Sequence, residues 1–396
     1  MKKRFLLLIS TILDEYRFMF VEQRAVLLIL LSLPLFYPFV ISSLYHQKTV
    51  TERPAILIDH DNSKLSRMFS IQLDATQDVK VVERIDSVEE GWEKIKSQQA
   101  EMMIYIPADF SSKIKQRKSS DVKMWVNSSN VLTYSVSYSG VSSVVQDMNA
   151  KIGYKFFLSQ GMGSEAAKNR VFPIDEIDRF LFHPSISYGE FLVLGIFMIV
   201  MQQIILISLS FSLGFRREGG KLSLHKYFPF TVIEGRILAH FLFYILGVLV
   251  VTYLVIPIFA WPIRNPSSVV LIFILFLLAM APISIAIAVF MKDRYEAFQL
   301  LMFASTPLFM ICGYAWPFEQ MPRYIQAFAS IFPVTPAIQA FRILSMKTDD
   351  LSYITPYLGW MAVQFVVYLL IAVFLVRWVW YSYLKEKSLA KKSKET

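Results

Sequence analysis

Long apolar runs alternate with short charged segments along most of the chain. A helix that crosses a membrane needs about 20 mostly apolar residues. Six runs have or approach that length, which predicts a mainly α, polytopic membrane protein with six transmembrane helices. The runs span residues 25–45, 190–213, 237–260, 267–291, 298–315 and 357–380, and the fifth is the shortest.

The first 24 residues have an amphipathic pattern of their own. Apolar residues recur at helical spacing from Phe5 to Met19, whereas Asp14 and Arg17 fall on the other face. This pattern predicts an interfacial amphipathic helix over residues 1–24 that bends into the first span. The alternative is a cytoplasmic extension of the first transmembrane helix.

The basic start of the chain, Lys2 to Arg4, also occurs in signal peptides. The long apolar core begins only after Arg24, however, and no small-residue cleavage site follows it. We therefore expect residues 25–45 to be retained as a transmembrane helix.

Residues 46–187 have the composition of a soluble protein and lie between the first two spans. Short apolar segments alternate in this stretch with helical patterns, which predicts an inserted α/β domain with a parallel or mixed sheet. The predicted strands are 55–59, 79–83, 102–106 and 122–126, and the predicted helices are 62–73, 87–98, 109–116 and 132–160, with Asn62 and a Ser87–Glu90 capping box at helix starts.

The composition argues against a soluble enzyme. The chain is 55% hydrophobic and 18% charged, with a mean hydropathy of +0.46, whereas soluble domains have about 45–50% apolar and about 25% charged residues. The net charge of +9 is an orientation signal in such a protein.

The positive charge is concentrated in the segments that flank the spans. Residues 1–24, 214–236, 292–296 and 377–396 together hold 18 Lys and Arg against nine Asp and Glu, whereas 46–187 holds 18 of each. By the positive-inside rule these segments are cytoplasmic, so both termini lie inside and the α/β domain is extracytoplasmic. No basic patch remains to predict nucleic-acid binding.

Residues that would indicate catalysis or metal binding are scarce. The chain has one cysteine, Cys312, and its five histidines never fall at metal-ligand spacing, so we expect no disulfide and no metal. The nearest approach to a phosphate-binding loop, 214–222, fails on spacing, because Gly219 is followed by Gly220 and not by Lys, and the later Lys221 is followed by Leu222 and not by Ser or Thr. Asp59 and Asp61 fit a turn better than a catalytic pair.

The segment after the second span is rich in charged residues, glycine and proline: FRREGGKLSLHKYFPFTVIEGR, over 215–236. It resembles the corresponding loop in permease subunits of ABC exporters of the type-2 family. Arg236 stands where that family usually has Lys, and Lys221 where Thr is frequent. The matching residues are Arg217, Glu218, Gly220, Leu222, Pro229, Glu234 and Gly235.

Two further segments are similar to the same family, and together the resemblance covers nearly the whole chain. Residues 106–130 resemble the external domain of a subgroup with one large loop after the first helix. Residues 313–344, GYAWPFEQMPRYIQAFASIFPVTPAIQAFRIL, resemble the segment after the fifth span. The residues that we single out there are Gly313, Pro317, Glu319, Met321, Pro322, Pro333 and Pro336.

The prolines of this last segment predict a broken helix. Pro317 and Pro322 lack an amide proton and disfavour helix in the preceding residue. We therefore expect a re-entrant helical hairpin at the outer leaflet over residues 316–345, with Glu319 at or near its turn. The alternative is a seventh span broken by prolines.

The resemblance implies the membrane-spanning permease subunit of an ATP-driven exporter in a bacterial cytoplasmic (inner) membrane. It implies a pathway formed with a second copy or a sister permease, and a separate cytoplasmic ATPase that binds the ATP, so this chain needs no cofactor and is no enzyme. The coupling loop 214–236 would dock on that ATPase, with Arg216 and Arg236 among the docking residues. The external domain would cap the exit or contact an envelope partner such as a periplasmic adaptor.

Polar residues inside the spans have two interpretations. In spans that are surrounded by membrane lipids, such residues either make interhelical hydrogen bonds or line the transport pathway. They are Gln202, Gln203, His240 and Gln364. A different hypothesis is a membrane-anchored receptor or scaffold whose external domain binds a ligand, although six spans exceed what an anchor needs. An integral-membrane enzyme would require a cluster of acids, histidines or a nucleophile, which the sequence lacks.

Overall fold

The computed structural model describes residues 2–45, 50–174, 188–218, 229–259, 263, 265–291, 293–348 and 350–395. The helices are α1 (Lys2–Arg17), α2 (Arg24–Leu44), α3 (Lys64–Asp74), α4 (Val88–Lys96), α5 (Phe110–Lys115), α6 (Val131–Ser159), α7 (Ser164–Val171), α8 (Tyr188–Glu218), α9 (Pro229–Val250), α10 (Ile256–Ile258), α11 (Pro266–Ala288), α12 (Arg294–Ile311), α13 (Arg323–Ile331), α14 (Val334–Arg342) and α15 (Thr355–Glu395). The strands are β1 (Arg53–Asp59), β2 (Val79–Arg84), β3 (Met102–Ile106) and β4 (Lys123–Val126).

The chain divides into two compact units, residues 49–181 and residues 1–48 with 182–396. The first unit contains a four-stranded sheet in the order β2-β1-β3-β4. Strand β1 pairs in parallel with β2 and β3, whereas β3 and β4 are antiparallel, so the sheet is mixed. The observed strands lie within two residues of the segments that the apolar pattern predicts.

Helices cover both faces of this sheet because successive strand residues point to opposite sides. On one face, Leu57 packs with Phe69 of α3 and Met148 of α6. On the other face, Ile58 packs with Ile85, and residues of α4 close that side. The unit therefore has two separate apolar layers, one on each side of the strands.

Local capping starts the first helix of this unit one residue later than expected. Ser63, not Asn62, is the N-cap of α3, and it exchanges hydrogen bonds with Ser66 in a capping box. Asn62 instead has a φ of 47°. Its amide and that of Asp61 donate to Asp59 Oδ1 at 3.0 and 3.1 Å, so these residues build the turn that the sequence favours.

The second unit is a bundle of long apolar helices. Five helices of the described residues are long and apolar enough to cross a membrane, and a bent pair raises the number to six if it counts as one span. The five are Arg24–Leu44, Phe191–Glu218, Pro229–Ile258, Pro266–Ala288 and Leu351–Val379, and the pair is Arg323–Ile331 with Val334–Ser345, bent by 99°.

Our fifth predicted span, 298–315, corresponds to α12, which is not among these five. The helix has 18 residues and ends at Ile311. At about 1.5 Å per residue it is about 27 Å long, slightly less than the hydrocarbon core of about 30 Å. Its charged first turn, with Arg294 and Glu296, shortens the apolar length further.

Helix α8 lies at the centre of this bundle. Its residues Met198, Met201 and Ile204 are fully buried. By contrast, α2 and α15 leave large apolar side chains such as Phe36 and Phe374 exposed. Such continuous apolar surface is suited to contact with lipid tails or with another apolar protein surface.

The chain bends between α1 and α2. A π-helical turn, Phe18–Glu22, ends at Gln23, whose φ of −138° interrupts the helix before Arg24. Apolar side chains of α1 such as Leu6 and Leu13 are exposed. The side that α1 turns toward the protein carries two buried polar residues, Thr11 and Glu15.

Candidate functional site

A fully buried carboxylate lies where α1 meets the ends of α8 and α9. Glu15 of α1 is 0% exposed. Its Oε1 accepts a short hydrogen bond from Arg236 of α9 and lies 3.4 Å from Arg216 Nη2 of α8. Its Oε2 accepts a hydrogen bond from Ser212 Oγ at 2.7 Å. One acidic group therefore joins three helices.

The charges around Glu15 keep it ionised. Burial alone would raise the pKa of this carboxyl, but the positive charges of Arg236 and Arg216, together with the Ser212 hydrogen bond, bring the pKa below its ordinary value. A buried carboxylate is stable only when it is paired in this way.

Arg216 and Arg236 both pair with carboxylates of α1, although the Nε atom of each is buried without a hydrogen-bond partner among the described residues. Arg216 makes a second ion pair with Asp14, and its Nη2 donates to the Asp14 carbonyl at 3.1 Å. Its guanidinium also lies 5.4 Å from the ring centre of Phe18. We expected both arginines to dock on a partner, but their side chains are only 8% and 3% exposed because α1 covers them.

Glu234 and Gly235 also serve the contact with α1. A Cβ added at Gly235 would lie 2.9 Å from Thr11 Cβ, so only glycine allows this approach of the two helices. Glu234 pairs with Arg4 at 3.5 Å, and Arg4 Nε donates to Thr231 Oγ1 at 3.1 Å. The Glu-Gly-Arg run at 234–236 is thus a docking surface for α1.

The other predicted coupling residues have different positions. Arg217 Nη1 donates to the carbonyls of Val289 and Met291 at 2.8 and 2.6 Å, which caps the C-terminal end of α11. Glu218 is the exposed last residue of α8, and Pro229 is the first residue of α9. Gly220 and Leu222 lie outside the described residues.

A tight turn follows α12, where we predicted the start of the hairpin. Gly313 has a φ of +88°, and a Cβ there would lie 2.3 Å from Gln339 Nε2. Pro317 then precedes a 3₁₀ turn, Phe318–Gln320, which contains the exposed Glu319. Met321 is buried, and Pro322 is the N-cap of α13.

A second break separates α13 from α14. Pro333 follows Phe332 there, and Pro333 and Pro336 are both buried. Thr335 Oγ1 donates to the Ala329 carbonyl at 2.7 Å, which satisfies one of the backbone groups that the break leaves unpaired.

Three residues of α15 satisfy further carbonyls at the end of α13. Trp360 Nε1 donates to Ser330 at 3.0 Å, and Gln364 Nε2 donates to Ser330 and Ile331 at 2.9 Å each. Tyr368 also donates to the Ile331 carbonyl. The donors recur every fourth residue, so they lie on one face of α15. Gln364 therefore caps a broken helix in this structure.

The remaining polar residues of the spans are buried to different degrees. Gln202 is 0% exposed, and neither of its amide atoms has a hydrogen-bond partner among the described residues. Gln203 is half-buried. His240 is buried, with Nδ1 3.0 Å from the Arg236 carbonyl oxygen.

Sequence analysis missed Glu15, although its signal was present. Arg4, Thr11 and Glu15 are separated by seven and four residues, so they form one polar stripe along α1. Amphipathic reasoning placed the polar side of the helix at Asp14 and Arg17 and did not single out this stripe. A stripe with one acid and one base also fits docking on a charged protein surface, which is what the structure has.

The comparison with known families agrees with this architecture. Residues 24–374 match the family described as ABC-2 family transporter protein. No curated protein matches the chain at a significant level. Among the described residues, no group of three or more His, Cys, Asp or Glu side chains is placed to hold a metal ion. Because the family match covers most of the sequence, the chain belongs to the ABC-2 transporter family, as a multi-pass membrane permease subunit that is not itself catalytic.

Proposed function

We propose that this permease subunit exports its substrate with energy from a separate cytoplasmic ATPase, as a dimer with a second copy or with a sister permease. Membership of the family supports this function. The positive segments that flank the spans support a cytoplasmic position for both termini and for residues 219–228. Residues 49–181 are then extracytoplasmic, where they meet an envelope partner.

Glu15 with Arg216, Arg236 and Ser212 forms one buried group, the Glu15 cluster. This cluster is the observation that supports the coupling mechanism. Residues 219–228 connect α8 to α9, and the cluster lies at the helix ends on both sides of this connection. A partner that displaces the connection therefore moves α1, α8 and α9 together, because their ends share one buried carboxylate. Discrete ion-pair networks of this kind can carry coupling between sites.

The buried and the exposed charged residues near the cluster have different roles. Arg216 and Arg236 hold α1 in place, since a buried guanidinium cannot contact a partner in the same conformation. Glu218 is the exposed acidic residue at the end of α8, next to Arg217, which is held by carbonyl groups. We assign the contact with the ATPase to Glu218 and to the connection that follows it.

Reversal of one charge tests this assignment. The tagged full chain is purified from its native membrane in mild detergent, and ATP hydrolysis and photolabelling by azido-ATP are measured in the eluate. We expect Glu218→Lys to lose both signals while the protein still reaches the membrane. Glu319→Lys is the matched control. Glu319 is also exposed, but it lies in the 3₁₀ turn Phe318–Gln320, within the segment that we expect at the outer leaflet, on the side away from the ATPase.

Two results would count against the proposal. Wild-type ATP hydrolysis in the Glu218→Lys eluate would remove Glu218 from the contact. An eluate of the unaltered chain without any ATP-binding protein would favour the receptor or scaffold hypothesis. Reporters fused at Ser120 and Ser393 test sidedness separately, and we expect only the first to report an extracytoplasmic position.

A further inference from the structure

A cavity of about 470 Å³ opens in the unit at residues 49–181, between α6 and the segment that connects α5 to β4. This volume lies within the range of about 300–1,000 Å³ that is usual for small-molecule sites. Apolar side chains form most of the wall. They include Phe69, Phe110, Ile114, Val145, Met148 and Ile152.

Two basic residues line the same cavity at the end of α5. Arg117 and Lys118 are exposed, and neither forms an ion pair with a carboxylate in the part of the chain that the structure describes. The nearby Lys113, by contrast, is paired with Asp109 at 2.7 Å. The opening therefore has positive charge that the protein itself does not neutralise.

The backbone fixes these two residues at the opening. The amides of Arg117 and Lys118 donate to the carbonyls of Ile114 and Lys113, the pattern of a Schellman motif. Arg117 occupies its left-handed position with a φ of 61°, where glycine is usual. Its guanidinium lies 4.5 Å from the ring centre of Phe156, which holds the charge over α6.

Polar groups inside the cavity are also available to a ligand. Ser120 Oγ is buried and has no hydrogen-bond partner among the described residues. Ser119 and Asn149 line the same space. Ser120 Oγ is enclosed by protein atoms, so the exposed Ser119 and Asn149 are the groups that can form hydrogen bonds with a ligand in this cavity.

From this arrangement we propose that the cavity binds a single acyl chain with an anionic headgroup. The apolar wall holds the chain, whereas Arg117 and Lys118 bind a carboxylate or a phosphate at the opening. A fully polar anion would leave the apolar wall without a partner. A neutral apolar molecule would leave the two basic groups unused.

Photo-crosslinking in the full chain tests the proposal. The protein is reconstituted in phosphatidylcholine nanodiscs with a diazirine fatty acid, irradiated, and mapped by mass spectrometry. Probes with a phosphate or an amine headgroup on the same chain, and a short-chain diazirine acid, are compared at equal concentration. We expect both long-chain anions to label peptides that cover residues 110–122 and 145–152, about tenfold more than the amine.

Headgroup preference distinguishes the source of the ligand. Stronger labelling by the phosphate probe indicates a lysophospholipid, and stronger labelling by the carboxylate probe indicates a free fatty acid. The short-chain acid should not label the cavity, because it cannot fill the apolar wall. Equal labelling by acid and amine, or labelling confined to the apolar helices, would overturn the proposal.

A charge variant tests the opening itself. The double substitution Arg117→Gln and Lys118→Gln should reduce anion labelling about tenfold and remove the preference over the amine. The backbone tolerates this change, since Gln98 already has a φ of 60° just after α4. Lys94→Gln with Lys96→Gln is the matched control, because α4 covers the opposite face of the sheet. Unchanged labelling in the Arg117 and Lys118 variant would also overturn the proposal.

Discussion

Neutralising Glu15 should strongly destabilise the protein. In Glu15→Gln, Arg236 loses its carboxylate partner while its side chain stays 3% exposed. Arg216 keeps the ion pair with Asp14, whose side chain is 52% exposed and well solvated. Removing one partner of a buried ion pair costs about 3–5 kcal/mol, because the remaining charge is left buried. We expect a loss of this size, almost all of it due to Arg236.

A second substitution identifies the source of that loss. Arg236→Met in the Glu15→Gln background removes the unpaired charge and keeps the volume of the side chain, so most of the stability should return. Arg216→Met in the same background is the matched control. It should restore much less, because Arg236 is still buried without a carboxylate.

The single cysteine of the chain gives a direct assay. Cys312 is fully buried, so a fluorogenic maleimide reacts with it only as the protein unfolds on heating. The expected order of transition temperatures is wild type, then the Arg236 double variant, then the Arg216 double variant and Glu15→Gln. The reasoning would be refuted if Glu15→Gln unfolded at the same temperature as the wild type. It would also be refuted if the loss of transition temperature in the Arg236 double variant equalled the sum of the losses of Glu15→Gln and Arg236→Met.

Three other expectations follow from single sites. The stability advantage of wild type over Glu15→Gln should be complete above pH 4.5, the ordinary value for this carboxyl, and should disappear as the pH falls through its lowered folded-state pKa, as measured by tryptophan fluorescence. Gly313→Ala should cost at least about 1–2 kcal/mol, because φ is +88°, whereas Gly359→Ala, with open space around it, should not destabilise in the same thermal assay. In a cysteine-free background, a cysteine at the exposed Glu319 should react with an impermeant maleimide added outside, and one at the buried Ala329 should react poorly.

Much of the soluble unit follows from local sequence. The apolar segment that predicts β1 runs into Asp59 and Asn62, and the one that predicts β3 is followed by Pro107 and Asp109, all residue types that favour turns. Helix starts are also local, because a serine side chain caps amides only two or three residues away. The difference between Asn62 and Ser63 as the cap is decided by the left-handed backbone of Asn62, which the sequence does not specify.

The number of spans was harder to predict because it depends on where helices end. The apolar run at 298–315 continues past Ile311, but Gly313 takes a left-handed conformation and Gln339 donates weakly to its carbonyl at 3.4 Å. Hydropathy does not detect such a tertiary stop. The hairpin prediction located the broken region from its prolines, and Glu319 lies in a 3₁₀ turn there, but the 99° bend between α13 and α14 at Phe332 and Pro333 was not predicted.

The roles of the charged loop residues depend on α1, which begins before the family match at residue 24. Residues 24–374 alone offer no evident acidic residue to pair with Arg236, so sequence reasoning assigns this arginine to the contact with another protein. Once α1 is in place, the same residue is buried against Glu15. The sequence contained both residues, but they are 221 positions apart, and no local pattern pairs them.

The Glu-Gly-Arg run therefore has a physical explanation that needs no partner protein. Gly235 is required because a Cβ would lie 2.9 Å from Thr11 Cβ, and Arg236 is required because Glu15 needs a charged donor at that depth. A Lys at position 236 would have one ammonium group in place of a planar fork. An Arg236→Lys protein should therefore keep the charge but hold Glu15 less rigidly, which predicts a smaller loss than Arg236→Met alone. If both losses are equal, the charge at position 236 contributes nothing, and the cluster must be held by Arg216 and Ser212.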